Sequence, residues 1–122
     1  MCIQELSTCL QYGLPIKIIN LNNAALGMVR QWQDMQYGGR HSSSTYENSL
    51  PDFVALAESY GHIGIKVSSF DSLESAMKEC ISLKDKLVFL DVDVDPDQHV
   101  YPMLEAGNSM DYMWLGKDKK TW

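Results

Sequence analysis

Pro15-Ile16-Lys17-Ile18-Ile19-Asn20-Leu21-Asn22-Asn23-Ala24-Ala25-Leu26-Gly27-Met28-Val29 holds most of the information about the architecture. Residues 16–21 are short and β-branched, which predicts a buried strand opened by Pro15. Asn22-Asn23 breaks the run. Ala25, Met28, Val29 and Trp32 then recur at i, i+3, i+4 and i+7, predicting a helix that starts directly after the asparagine pair. A strand that passes through a short polar turn into a helix is half of a crossover unit.

Working outward, the alternation continues on both sides. Upstream, Ile3, Leu6 and Leu10 form a helical stripe that Gly13 can close in a left-handed cap. Downstream, residues 36–48 contain Gly38-Gly39 and Ser42-Ser43-Ser44 without an apolar period and read as a long exposed loop. Pro51 suits a first helical turn, ahead of Phe53, Leu56, Ala57 and Tyr60 on one face, with Gly61 as the stop. Ile63–Val67 is a short strand. Asp71 and Glu74 form a candidate capping pair for a helix carrying Leu73, Met77, Cys80 and Ile81. Residues 87–94 are the last strand, with Val88, Leu90, Val92 and Val94 on its core side. From Asp95 the chain reads as irregular and rich in Met, Tyr and Trp, draped over the domain. Strands alternating with helices imply parallel crossovers, hence an α/β three-layer parallel-sheet fold. The division expected is a partial domain over residues 1–97 and a packing tail over residues 98–122. An opening inside a helix, with only three strands to follow, reads as a domain cut at its N-terminus.

Composition narrows the function classes. The 122 residues are 45% hydrophobic and 21% charged, ordinary globular values. Ten Lys and Arg against sixteen Asp and Glu give a net charge of −6. That balance argues against non-specific nucleic-acid binding and against a membrane-surface module, both of which need basic patches. No apolar run approaches the ~20 residues of a membrane span, and no signal peptide is visible. Cys2, Cys9 and Cys80 are odd in number and unclustered, which suits a reducing, cytoplasmic setting.

Among possible sites, the strand–Asn22-Asn23–helix junction is the most informative. Open parallel sheets bind ligands at the carboxyl ends of their strands, and a following helix offers free N–H groups to a phosphate. Asparagine is also a neutral oxygen ligand suited to Mg²⁺ shared with phosphates. Spacing alone favours the plainer alternative, in which the pair turns the chain and caps the helix. Asp91, Asp93, Asp95 and Asp97 imitate a calcium loop, but Pro96 and Pro102 occupy its glycine and glutamate positions. Alternation instead places Asp91 and Asp93 on a solvated strand end. His41, His62 and His99 lack metal-ligand spacing, and neither a nucleophile elbow nor a phosphate-binding glycine loop is present. Trp32 reads as a core aromatic, with a pocket wall as its alternative.

Several segments, taken in order, carry a resemblance. They are Ile3-Gln4-Glu5-Leu6, Leu14-Pro15, Asn20-Leu21-Asn22-Asn23, Leu26-Gly27-Met28-Val29 and Gln31-Trp32-Gln33. They continue with Leu50-Pro51-Asp52-Phe53, Leu56-Ala57-Glu58, Tyr60-Gly61, His99-Val100-Tyr101-Pro102-Met103 and Met110-Asp111. Together they resemble the large catalytic subunit of acetolactate synthase, over essentially the whole chain. The Met-Trp-Leu at Met113-Trp114-Leu115 is similar to the tail of bacterial members.

The resemblance implies part of a C-terminal domain that binds thiamine diphosphate. In that superfamily Gly-Asp-Gly begins the cofactor motif and Asn-Asn ends it. The implied Mg²⁺ ligands here are the Asn23 side chain and the Ala25 carbonyl, with Leu26, Gly27 and Met28 lining the cofactor. Met1 falls where the family often has a methionine just past Gly-Asp-Gly. Trp32 matches the tryptophan at the mouth of the substrate channel, which favours 2-oxobutanoate as second substrate and contacts inhibitor herbicides. Residues 100–110 resemble the segment that closes over that channel, although Ala106-Gly107-Asn108-Ser109 reduces its glycine cluster. Many relatives carry bulkier polar residues at Ala24 and Ala25, a change that a backbone carbonyl ligand tolerates.

The implied activity is a transferase of branched-chain amino-acid biosynthesis, condensing two pyruvates, or pyruvate with 2-oxobutanoate. The implied partners are the rest of the catalytic subunit with its FAD, a second catalytic subunit in a homodimer or tetramer, and a small regulatory subunit. The catalytic glutamate belongs to a partner subunit, so no catalytic residue is assigned within these 122 residues, and the chain alone is expected to be inactive. Two alternatives are a non-catalytic α/β interaction module derived from this domain and another thiamine-dependent 2-oxo acid decarboxylase.

Overall fold

The computed structural model describes residues 2–46 and 48–116, in two compact units. Met1 and the last six residues of the tail expectation therefore lie outside the described residues.

The first unit comprises Met1–Asn22 and Asn48–Val94. It holds α1 (Glu5–Gln11), β1 (Lys17–Asn22), α3 (Phe53–Ser59), β2 (Ile63–Val67), α4 (Phe70–Ser82) and β3 (Val88–Asp93). The helix α2 (Gly27–Gln36) belongs to the second unit. The three strands form a parallel sheet in the order β1-β3-β2. Side chains alternate across it. On one face Leu90, Val92 and Val67 pack against Ala76 of α4, with Ile65, Leu73, Met77 and Val94 around them. On the other, Phe89 stacks on Phe53 of α3 with ring centroids 6.0 Å apart. Leu6 and Cys9 of α1 join Leu87, Ile18 and Tyr60 on that side. Helices on both faces of a parallel sheet make the α/β three-layer arrangement expected.

Local chemistry explains most of the element ends. Asp52 caps α3, its carboxylate accepting from the N–H of Val54 and of Ala55, both at 3.0 Å. Gly61 ends the same helix at φ +80°, a left-handed conformation that glycine adopts without a Cβ penalty. Gly13 does the same after α1 at φ +61°.

Several expectations need correction. Pro51 lies before the Asp52 cap rather than in the first turn. The cap position of α4 is Ser69, with Asp71 inside the first turn, and Glu74 pairs with Lys78 at 2.6 Å instead of closing a capping box. Ile81 points to solvent, while Ala76 and Cys80 carry the buried stripe. In α1 the buried residues are Leu6 and Cys9, with Ile3 and Leu10 about half exposed. The strand β1 is not buried. Among the described residues it pairs on one side only, with β3, and Leu21 is 67% exposed because α4 packs on β2 and β3 and leaves the Ile19–Leu21 face uncovered.

The second unit comprises Asn23–Glu47 and Asp95–Trp122. It starts α2 at Gly27, three positions later than a start directly after the asparagine pair. The tail is less irregular than expected, since Met103 and Trp114 pair as an antiparallel bridge, each donating its N–H to the other's carbonyl. Among the described residues, no helix is long and apolar enough to cross a membrane.

Candidate functional site

The asparagine turn does not cap α2. Asn23 Oδ1 accepts from the Ala25 N–H at 3.1 Å, closing a local turn across Ala24, which sits at φ +51°. A short antiparallel pairing then grips the turn from outside. Leu26 donates to the Ser44 carbonyl at 2.8 Å, and Tyr46 donates to the Ala24 carbonyl at 2.9 Å. The Ala25 carbonyl accepts from no donor among the described residues.

Helix α2 begins without a side-chain cap. Its first bond runs from Arg30 N–H to the Leu26 carbonyl at 2.9 Å. The N–H groups of Gly27, Met28 and Val29 have no partner among the described residues. Gly27 permits a close approach: a Cβ there would stand 2.9 Å from Asn23 Nδ2. What the turn offers is two neutral oxygens, from Asn23 and Ala25, beside an open helix N-terminus. That is the donor chemistry of a divalent cation shared with a diphosphate.

Trp32, one helical turn beyond Met28, is half-buried and lines a cavity of about 650 Å³. Met28, Val29 and Gln33 of α2 line it as well, with Tyr37, Arg40 and Ser42 from the loop. Gln33 secures that loop, donating to the Ser42 carbonyl at 3.0 Å and accepting from Ser42 N–H at 3.3 Å. The buried Ser44 hydroxyl donates to the same Gln33 oxygen.

Sequence reasoning quoted Gln31 but gave it no role. It is 1% exposed, and its amide is matched like a strand partner. Nε2 donates to the Val100 carbonyl and Oε1 accepts from Val100 N–H, both at 2.9 Å. Beside it, Arg30 pairs with Asp97, and Asp34 receives both His41 and His99. Burial pushes the Asp34 carboxyl up, but the hydrogen bonds and charge of His41 and His99 outweigh it and hold the group below its ordinary value. A polar helical face of this kind has no signal in periodicity, since Arg30, Gln31 and Asp34 look solvated until their partners are known.

The first unit contains a further polar group at the carboxyl end of its sheet. Asp91, expected on a solvated strand end, has a side chain only 4% exposed. It accepts from Lys66 Nζ and Asn20 Nδ2, both at 2.7 Å, and more weakly from Asn22 Nδ2 at 3.4 Å. The register explains the convergence, because Asn20 and Lys66 flank Asp91 on the two neighbouring strands. Lys66 also reaches Asp93, whose other oxygen accepts from Ser68.

The bond from Lys66 holds the Asp93 carboxyl below its ordinary value against the opposing effect of burial. Burial pulls Lys66 down, but its bonds to Asp91 and Asp93 outweigh that and raise it. A depressed carboxyl stabilises the fold above its ordinary value of 3.8 and loses that contribution as pH falls through the depressed one. A raised lysine stabilises below its ordinary value of 10.5 and loses the contribution as pH rises through the raised one. Urea midpoints measured against pH should therefore show a plateau that falls at both ends, and Asp93→Asn should shrink the acid-side fall.

The sequence model of the family described as "Thiamine pyrophosphate enzyme, C-terminal TPP binding domain" matches residues 1–92. The chain belongs to this family. Family members among curated proteins include the acetolactate synthase large subunit of Haemophilus influenzae, 59% identical over 98% of this chain. The acetolactate synthase isozyme 3 large subunit of Escherichia coli is 58% identical over 99%. The chain spans 21% of the length of each of these relatives. Among solved structures, the thiamine diphosphate-dependent 4-hydroxybenzoylformate decarboxylase of Rhodococcus jostii RHA1 aligns with a TM-score of 0.66 at 29% identity. That alignment covers 76% of this chain and 17% of the decarboxylase. The thiamine-binding α/β fold is thus shared with proteins whose chains are far longer.

Proposed function

We propose that this chain is the part of an acetolactate synthase large subunit that holds the diphosphate end of thiamine diphosphate. The observation that carries the reading is the turn after β1, with its open Ala25 carbonyl, Asn23 oxygen and uncapped α2. Identity of 58–59% along nearly the whole chain favours acetolactate synthase over other thiamine enzymes.

In this reading Asn23 and the Ala25 carbonyl are ligands of Mg²⁺, and Ala25, Leu26, Gly27 and Met28 form the cofactor wall. The N–H groups at the start of α2 receive diphosphate oxygens. Thiamine diphosphate, when bound, supplies the electron sink for decarboxylation of a 2-oxo acid. Trp32 presents an apolar wall to the second 2-oxo acid. The complete enzyme acts in the cytoplasm on pyruvate and 2-oxobutanoate, in branched-chain amino-acid biosynthesis. Its FAD is bound outside this chain, and its assembly includes a second catalytic subunit, as homodimer or tetramer, and a small regulatory subunit. Residues 1–97 are the share of the cofactor domain and residues 98–122 the tail.

These 122 residues contain no Gly-Asp-Gly, so Mg²⁺ lacks an anionic protein ligand from this chain. Loss of such a charged partner costs several kcal/mol, about 3–5 for a buried pair. Calorimetric titration of the chain with thiamine diphosphate in Mg²⁺ should accordingly show no binding in the micromolar range. A chimeric E. coli large subunit carrying this chain in place of the matching segment should form acetolactate from pyruvate, and Asn23→Ala should abolish it. A chimera that folds and binds cofactor but forms no acetolactate would defeat the proposal.

A further inference from the structure

Two histidines from distant parts of the second unit meet on one carboxylate. Asp34 Oδ1 lies 2.7 Å from His41 Nε2, and Oδ2 lies 2.8 Å from His99 Nε2. His41 stands between Arg40 and Ser42, two residues that line the Trp32 cavity. His99 precedes Val100, whose N–H and carbonyl are both taken by Gln31. The His99 side chain is only 8% exposed.

We propose that Asp34 is a positioning residue that couples the tail segment to the cavity wall, so that the two attachments are gained or lost together. A neutral imidazole donates from Nε2 through a single N–H, and each oxygen of Asp34 already serves one ring. Rotating the carboxylate to follow one ring misaligns it for the other, so neither segment can shift independently. The surroundings reinforce this. Arg30 Nε lies 3.8 Å from Asp34 Oδ2, and its Nη2 is engaged by Asp97 on the tail side. The Tyr101 ring lies 6.4 Å from His99, and Tyr37 and Arg40 flank the cavity side. Among the described residues, Arg30, His41 and His99 are the charged or titratable groups paired with Asp34. Both bonds end on a carboxylate held below its ordinary value, so each is charge-assisted. The coupling is a property of the cavity itself and holds whether or not a 2-oxo acid enters it.

Amide exchange in the 122-residue chain supplies a reporter for each segment. Val100 N–H, bonded to Gln31, reports on the tail, and Ser42 N–H, bonded to Gln33, reports on the loop. His99→Phe keeps a ring but removes the donor. It should lower protection at Val100 by about tenfold, the scale of one charge-assisted bond, and at Ser42 by about threefold. His41→Phe should give the mirror pattern, Asp34→Asn should lower both, and Asp34→Glu should restore part of each. If each histidine substitution alters only its own segment, or Asp34→Glu restores neither, the coupling does not exist.

Discussion

Asp91→Ala should lower the unfolding free energy of the chain by about 2–3 kcal/mol, measured by urea denaturation, with little change in the slope of the transition. The size follows from what the substitution leaves behind. Asp91 is buried and accepts from Lys66, Asn20 and Asn22. Removing it strands the Asn20 amide in a half-buried strand and deletes one of the two carboxylates, Asp91 and Asp93, that pair with Lys66 on the neighbouring strand. Lys66 is 43% exposed and can turn to water, so the loss falls below the ~3–5 kcal/mol typical of breaking a fully buried pair. Asp91→Asn retains one acceptor and should cost less than half as much. Equal losses from the two substitutions would mean that the charge carries the whole contribution and that the retained shape and acceptor add nothing.

Gly27→Ala should separate cofactor binding from stability. The added methyl would meet Asn23 Nδ2 at 2.9 Å. The obstacle is the end of a side chain rather than backbone, so the fold can accommodate the change by moving Asn23. Alanine is also favoured over glycine within a helix by about 1 kcal/mol, and stability should stay level or rise slightly. Asn23, however, would be displaced from its turn with Ala25, and in the proposed reading, where Asn23 is itself a Mg²⁺ ligand, this should cost at least the factor of about 10–100 in affinity that disturbing a residue orienting a ligand typically costs. In the chimeric large subunit, the Mg²⁺ concentration giving half-maximal activity should rise by that factor while the thermal midpoint holds. A parallel fall in both quantities would place Gly27 in the packing rather than in the site.

Much of the architecture was legible because it depends on neighbours in sequence. The strand Ile63–Val67 appears as expected, since its apolar residues are bounded by Gly61 and Ser68. The alternation of Val88, Leu90 and Val92 correctly marks the core side of β3. The start of α2 was misplaced because Ala24 adopts a left-handed conformation and Asn23 turns back on Ala25. Neither event leaves a trace in helical periodicity, which had already begun at Ala25. Burial of Asp91 was illegible for a different reason. Its partners Asn20 and Lys66 are assigned by strand register, and register is a property of the assembled sheet. The same holds for Asp34, whose ring partners come from two other segments. Trp32 was open between core and pocket wall, and only the loop carrying Tyr37, Arg40 and Ser42 makes it part of a cavity.

The order β1-β3-β2 also governs how such a sheet can come into being. The strands β1 and β2 are not neighbours, and among the described residues each pairs with β3 alone. Before Val88 is reached, β1 and β2 have no ladder with each other, since among the described residues each pairs with β3. Once β3 emerges, the β2–β3 pairing closes the shorter loop, through α4, and β1 must be recruited across the longer one at greater entropic cost. Assembly should run from β3 outward, with β1 docking last, and a pause in translation before residue 88 would prolong the interval in which Ile19 and Leu21 are open to the wrong partner.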